Sequence, residues 1–271
     1  MKYKILIDFD HCLAPFDHDI AAEAVKKELI SAVGKDGFAA GDEFGRIFYG
    51  MLSILHSNES HEAVGMKEKI NSYAVVRPPE LPPDADQKWS RELWLKYLSD
   101  KYGLHLDGKI IMHIVEKYWE TIAQACKLYP DVTEFLRRFG DDVFVITGSD
   151  DRMIFRNGSI IYDPLSSERK KIDRLEKQGL RNLLPSNHII TGDPYGKADE
   201  KFWQKAMRIA GLEDPADGIV IEDSLSVVLY GKKLGFKGYV LDRHGFYNKD
   251  DLTNKIDGYI TGLKEFNKEM F

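Results

Sequence analysis

Five short apolar runs, at residues 4–8, 143–147, 188–191, 218–222 and 238–241, constrain this chain more than any other feature. Ile5-Leu6-Ile7 and Val143-Phe144-Val145-Ile146 are almost continuously apolar instead of alternating with polar residues. A strand reads that way when both of its faces are buried, as in a parallel sheet covered by helices. Helical patterns lie between most of the runs, for example at residues 199–210 and 224–234, the latter with Gly235 placed to stop it. Strand alternating with helix specifies an α/β fold with an open, doubly wound parallel sheet.

One interval breaks the alternation. About residues 15–127 separate the first run from the second, far more than an ordinary crossover needs. Apolar residues recur near helical spacing at 20–33, 43–55, 62–73, 91–102 and 109–127. The predicted division is therefore an α/β core domain of residues 1–14 and 128–271, and an inserted all-helical domain of residues 15–127. Within the insert, the proline-rich stretch 77–83 cannot be helix and is expected to be an extended loop. After the second run, Asn157-Gly158 lies between apolar segments and predicts a β-hairpin.

At 271 residues the chain can bury a full core as one large domain or as a catalytic domain with an insertion. With 44 Asp and Glu against 38 Lys and Arg, its surface would repel a phosphate polyanion, so nucleic acid is not an expected partner. No stretch approaches the roughly 18 apolar residues that span a bilayer, so no membrane partner is expected either. Asp8 and Asp10 interrupt the N-terminal apolar run before it could form a signal-peptide core. Two cysteines, Cys12 and Cys126, are too few for a disulfide framework and point to reduced thiols. The expected location is cytoplasmic. Oligomeric state has no signature in the sequence.

Asp8 and Asp10 sit where the first strand runs out, and their i, i+2 spacing in extended chain sends both carboxylates to one side. Ligands of open α/β sheets bind beyond the carboxyl ends of the strands, so two acids there are well placed. Asp-x-Asp alone is also ordinary turn chemistry. Three further features place a functional group after another apolar run: Thr147, Lys197 in the loop before a helix, and Glu222-Asp223-Ser224.

In that order these residues resemble the four motifs of the haloacid dehalogenase superfamily. Ile-Leu-Ile-Asp8-Phe-Asp10 is similar to the first, Val-Phe-Val-Ile-Thr147-Gly148 to the second, Lys197 to the third, and Ile-Val-Ile-Glu222-Asp223-Ser224 to the fourth. The resemblance covers the core and not the insert. It implies a Rossmann-like core with a helical cap domain, and a magnesium-dependent phosphatase that hydrolyses a small phosphate monoester. It also implies roles. Asp8 is the nucleophile that forms an aspartyl-phosphate, and Asp10 is the general acid and base. Lys197 and Thr147 bind the phosphoryl oxygens, with Gly148 and His11 lining the substrate site. Asp8, the Asp10 carbonyl and Asp223 are implied as Mg²⁺ ligands, with Glu222 as a ligand or its neighbour.

Two departures from the pattern stand out. His11-Cys12 replaces the usual Gly-Thr or Gly-Val after Asp-x-Asp, and Val227 stands where many relatives carry another Asp. Cys12 reads as a buried small hydrophobe. Dehalogenase members lack an acid two residues after the nucleophile, because halide leaves unprotonated, so Asp10 argues for phosphoryl chemistry. The motifs do not separate a phosphatase from a phosphotransferase or phosphomutase, nor from a non-catalytic phosphate-binding protein. A receiver domain would be about half this length and would lack the insertion. Within the insert, Arg46, Tyr49, His56 and Arg77 are candidate substrate contacts, as the family's caps close over the site and set specificity. The identity of the ester is not legible.

Overall fold

The computed structural model of the protein describes residues 3–55, 60–73, 89–148, 153–193 and 195–267. The expected loop at 77–83 and the candidates His56 and Arg77 lie outside them. From the N-terminus the chain forms β1 (Lys4–Asp8), α1 (His18–Val33), α2 (Gly37–Leu55), α3 (His61–Asn71), α4 (Arg91–Tyr102), α5 (Gly108–Ala125) and α6 (Val132–Phe139). There follow β2 (Val143–Thr147), β3 (Met153–Arg156), β4 (Ser159–Tyr162), α7 (Pro164–Gln178) and β5 (Ile189–Thr191). The chain ends with α8 (Glu200–Ala210), β6 (Gly218–Glu222), α9 (Leu225–Lys233), β7 (Lys237–Leu241) and β8 (Gly258–Ile260).

These elements fall into two compact units. One comprises Met1–Phe16, Cys126–Gly148 and Leu175–Phe271; the other comprises Asp17–Ala125 and Ser149–Arg174. The sequence division placed residues 149–174 in the α/β core, whereas in the structure this hairpin segment belongs to the helical unit.

The first unit is built on a six-stranded sheet ordered β5-β2-β1-β6-β7-β8, with every pair parallel. From β1 the chain builds outward through β2 and β5, then crosses to β6 and continues to β8. Strand order therefore reverses beside β1, the kind of switch point at which open α/β sheets open a crevice. Ile5, Leu6 and Ile7 are fully buried, as their unbroken apolar run requires. Leu6 packs in one cluster with Phe144, Ile146, Ile190 and Val220 of the sheet and with Phe202 and Trp203 of α8. Truncating such a side chain costs about 2–5 kcal/mol. On β7 the packing is so close that a Cβ at Gly238 would stand 2.7 Å from Val228 Cγ1 and 2.8 Å from Lys232 Cγ, both on α9. Strand β8 has no counterpart among the predicted runs, because Gly-Tyr-Ile is too short to show a period.

The second unit holds α1 to α5, the β3-β4 hairpin and most of α7. The hairpin turns at Asn157 (φ 50) and Gly158 (φ 80), the two left-handed positions of a type I′ turn. Its Phe155 ring lies so close to α5 that a Cβ at Gly108 would stand 2.2 Å from Phe155 Cγ. From α7, the Arg174 guanidinium sits 4.6 Å from the Trp119 ring of α5. Inside the helices, His18 is buried, hydrogen-bonded to the Tyr118 hydroxyl at 2.9 Å and stacked on Phe48 at 4.3 Å. Burial, and then the nearby Arg91 charge, hold its pKa down at about 3, so the ring is neutral. Arg91 is itself buried and lies 4.4 Å from the Trp94 ring, where an aromatic face replaces water around the cation.

Candidate functional site

The carboxyl ends of the central strands carry the residues that the motifs single out. Asp8 ends β1, Thr147 ends β2 and Glu222 ends β6. The parallel register sets these ends level, with Asp8 beside Ile146 and Ile7 beside Ile221. Lys197 comes from the loop between β5 and α8, and its backbone carbonyl is held by the Trp203 indole N–H at 2.8 Å. That bond ties the loop to the buried face of α8.

Lys197 Nζ donates to both Asp8 Oδ1 and Glu222 Oε1. The second Glu222 oxygen accepts the Ser224 N–H at 3.1 Å. Glu222 thus anchors the lysine. Asp8 and Asp223 approach one another closely enough that a carboxylate oxygen of each lies within 4.8 Å of the Cys12 sulfur and of the other. Thr147 Oγ1 is buried and has no hydrogen-bond partner among the described residues. Gly148 follows it at the exposed rim, and a Cβ there would meet nothing within 4 Å.

Burial dominates the electrostatics, and the crowding of acids adds to it. Burial, and then the charge of Glu222, raise the Asp8 pKa to about 7. Burial, moderated by Lys197 and reinforced by Asp223, takes Glu222 to about 7. Asp223 rises to about 6 through burial and then the charge of Asp8. Burial alone would lower Lys197, but Asp8 and Glu222 outweigh it and raise its pKa further. Among the described residues, the Lys197 ammonium contacts the carboxylates of Asp8 and Glu222, while Asp223 and Asp10 add further negative charge beside Asp8. A set of oxygen donors with surplus negative charge fits a hard divalent cation such as magnesium.

The loop after β1 is tightly turned. Leu13 N–H and Ala14 N–H both donate to the Phe9 carbonyl, at 2.8 and 3.1 Å, and His11 N–H donates to Ala14 at 2.7 Å. His11 adopts φ 63, the left-handed conformation that glycine takes without strain, which is the residue it replaces in the motif it resembles. Its ring meets His244 edge-on with centroids 5.5 Å apart.

Two residues that sequence reasoning missed hold this loop. Arg243, just after β7, donates through Nε to the Cys12 carbonyl at 2.9 Å. Its other nitrogens form a bidentate pair with Asp131 at 2.9 and 3.1 Å, and Asp131 also accepts the Leu263 N–H at 2.8 Å. The partners are more than a hundred positions apart, and neither carries a local signal beyond an ordinary turn acid.

No protein-family model matches the chain, and it matches no curated protein by sequence. Solved structures do match. HAD-hydrolase YfnB from Bacillus subtilis, described as bound to magnesium, aligns over 98% of this chain and 97% of its own at 12% identity and a TM-score of 0.56. A 2-haloacid dehalogenase from Pseudomonas syringae aligns over 98% and 96% at 14% identity, TM-score 0.53. A HAD hydrolase of family IA, variant 3, from Entamoeba histolytica aligns over 99% and 96% at 16% identity, TM-score 0.51. The chain has the fold of the haloacid dehalogenase superfamily, an α/β Rossmann-like sheet accompanied by a helical unit. Among the described residues no helix is long and apolar enough to cross a membrane.

Proposed function

We propose that this protein is a magnesium-dependent phosphatase that hydrolyses a small phosphate monoester through an aspartyl-phosphate on Asp8. The observation that carries the reading is the arrangement of Asp8 at the end of β1 and Asp10 just after it, with Asp8 held by Lys197 and facing Asp223. The fold itself is compatible with both phosphatases and dehalogenases. Asp10 favours the former, because an alkoxide leaving group needs a proton and a halide does not.

In this reading Asp8, the Asp10 carbonyl and Asp223 hold the cation, while Glu222 is committed to Lys197. Magnesium, when bound, supplies positive charge that offsets the repulsion between the Asp8 carboxylate and the phosphate dianion. Lys197 orients the Asp8 carboxylate and brings its ammonium to a phosphoryl oxygen. The Thr147 hydroxyl donates to another oxygen, using a hydrogen-bonding capacity that no described residue takes up. Asp8 attacks phosphorus in line, the ester oxygen departs with a proton from Asp10, and Asp10 then deprotonates the water that hydrolyses the acyl-phosphate.

The test is release of inorganic phosphate from a panel of small phosphate monoesters with magnesium, run beside halide release from 2-haloacids. Phosphate release that a chelator stops and magnesium restores supports the reading. Halide release without phosphate release overturns it. Transfer of the phosphoryl group to an added hydroxyl compound, without free phosphate, would identify a phosphotransferase.

A further inference from the structure

The cation site contains a group that the proposed reaction does not use. Cys12 is fully buried, and its sulfur lies with one carboxylate oxygen each of Asp8 and Asp223 in a triad whose members are all within 4.8 Å of one another. Ligands of a single ion are separated by distances of this order, because each lies about 2.0–2.4 Å from the metal. The backbone that carries the sulfur is also well fixed. The backbone around it is closed by the two bonds to the Phe9 carbonyl, and the Cys12 carbonyl is held by Arg243, itself pinned by Asp131. Oriented support of this kind keeps a ligand in place for binding.

We infer that Cys12 is a further donor at the cation site, so that the site takes a thiophilic divalent cation such as zinc through a thiolate, and magnesium through its oxygens alone. A thiolate is a soft ligand that magnesium does not favour and zinc does. On zinc binding a sulfur–metal bond forms and the thiol proton passes to solvent, so no oxidant or reductant is required. The inference rests on Asp8 and Asp223 forming the proposed metal site, but not on the reaction being phosphate hydrolysis. Its consequence is competition: zinc occupies the site that magnesium needs, with a preference set largely by one side chain.

The experiment is binding, not turnover. X-ray absorption at the zinc edge, on the full chain loaded with one equivalent of zinc, should show a sulfur neighbour at about 2.3 Å beside oxygens. Cobalt should give a thiolate charge-transfer band in the near ultraviolet that persists in Cys126→Ser and is lost in Cys12→Ser. Zinc affinity should fall by at least about 100-fold in Cys12→Ser, the upper end of what loss of an outer-shell partner costs, while magnesium affinity changes by less than about threefold. The zinc-edge measurement uses the unaltered protein and so does not depend on how the variant folds. Magnesium binding combined with a sulfur-free zinc shell overturns the inference and leaves the proposed function standing. Failure to bind either metal overturns both.

Discussion

Asp8 must be ionised to attack phosphorus, yet its burial beside Glu222 raises its pKa to about 7. Lys197 already holds that value below what burial and Glu222 alone would give, and a bound cation would lower it further. The ammonium is built in, and the cation is added. Replacing Asp8 by Asn keeps the volume and removes the nucleophile, so phosphate release should fall on the order of 10⁴-fold while circular dichroism is unchanged. A variant retaining a tenth of the rate would exclude Asp8 as nucleophile. The same pKa shifts fix how stability depends on pH. Asp8, Asp223 and Glu222 rise from 3.8, 3.8 and 4.5 to about 7, 6 and 7, so between about pH 5 and pH 7 these three carboxyls hold more protons in the folded, metal-free protein than in the unfolded chain, while His18, lowered from 6.5 to about 3, holds fewer and offsets only one of them. Stability falls as pH rises wherever the folded state binds more protons, so the melting temperature should drop across that window. Lys197 does not alter the window, because its pKa rises from 10.5 and its contribution is fully present below that value. Magnesium should flatten the drop, since it favours the ionised carboxylates; a profile unaffected by saturating magnesium would argue against a cation among them. The positions of these acids were legible in the sequence because strands buried on both faces read as unbroken apolar runs, and the first polar residue after each run marks the rim. What Glu222 does was not legible, since a strand-end acid can hold a metal or a lysine, and only the reach of Lys197 across the rim distinguishes them.

Strands and helices were read to different depths for a physical reason. Five strands of the parallel sheet announced themselves by apolar runs, and Asn157-Gly158 announced a hairpin by its turn chemistry. Strand β8 did not, because three residues at the sheet edge owe their place to β7 and not to their own pattern. Connections between distant elements were similarly silent. Arg243 after β7, Asp131 before α6 and the loop after β1 form a single clamp, built from residues that are individually ordinary. Asp131 and Arg243 side chains are each 11% exposed, so this is a nearly buried ion pair. Removing one member leaves the other charged and desolvated, and Arg243→Ala should destabilise the protein by about 3 kcal/mol. Arg243→Ala with Asp131→Asn should cost clearly less than the sum of the two single changes, as expected for partners in contact. Chemical denaturation of the four proteins measures this, and strict additivity would show that the clamp carries no coupling energy.

At the scale of the molecule, the chain visits the helical unit twice, through Asp17–Ala125 and through Ser149–Arg174. The first visit was visible as a long helical interval after the first strand. The second was not, because a hairpin and the start of a helix also suit an α/β sheet, and their membership depends on what they pack against. Phe155 covers Gly108 on α5, Arg174 lies over Trp119, and Lys170 Nζ comes within 3.5 Å of Glu116. Met153, Ile160 and Tyr162 of the hairpin are buried as well. Residues 16–127 therefore cannot be removed cleanly on their own. A short Gly-Ser link in their place would strip the hairpin and the first three turns of α7 of their apolar partners and expose that surface to water. We predict that this single deletion yields a protein that associates and binds a hydrophobic dye. Also replacing residues 149–174 by a short link should give a monodisperse core with a cooperative melt, because its sheet and its clamp lie wholly within the α/β unit. Size-exclusion chromatography and thermal melts of the two deletions distinguish these outcomes. A well-behaved single deletion would mean that the hairpin and α7 do not depend on the helices for their stability.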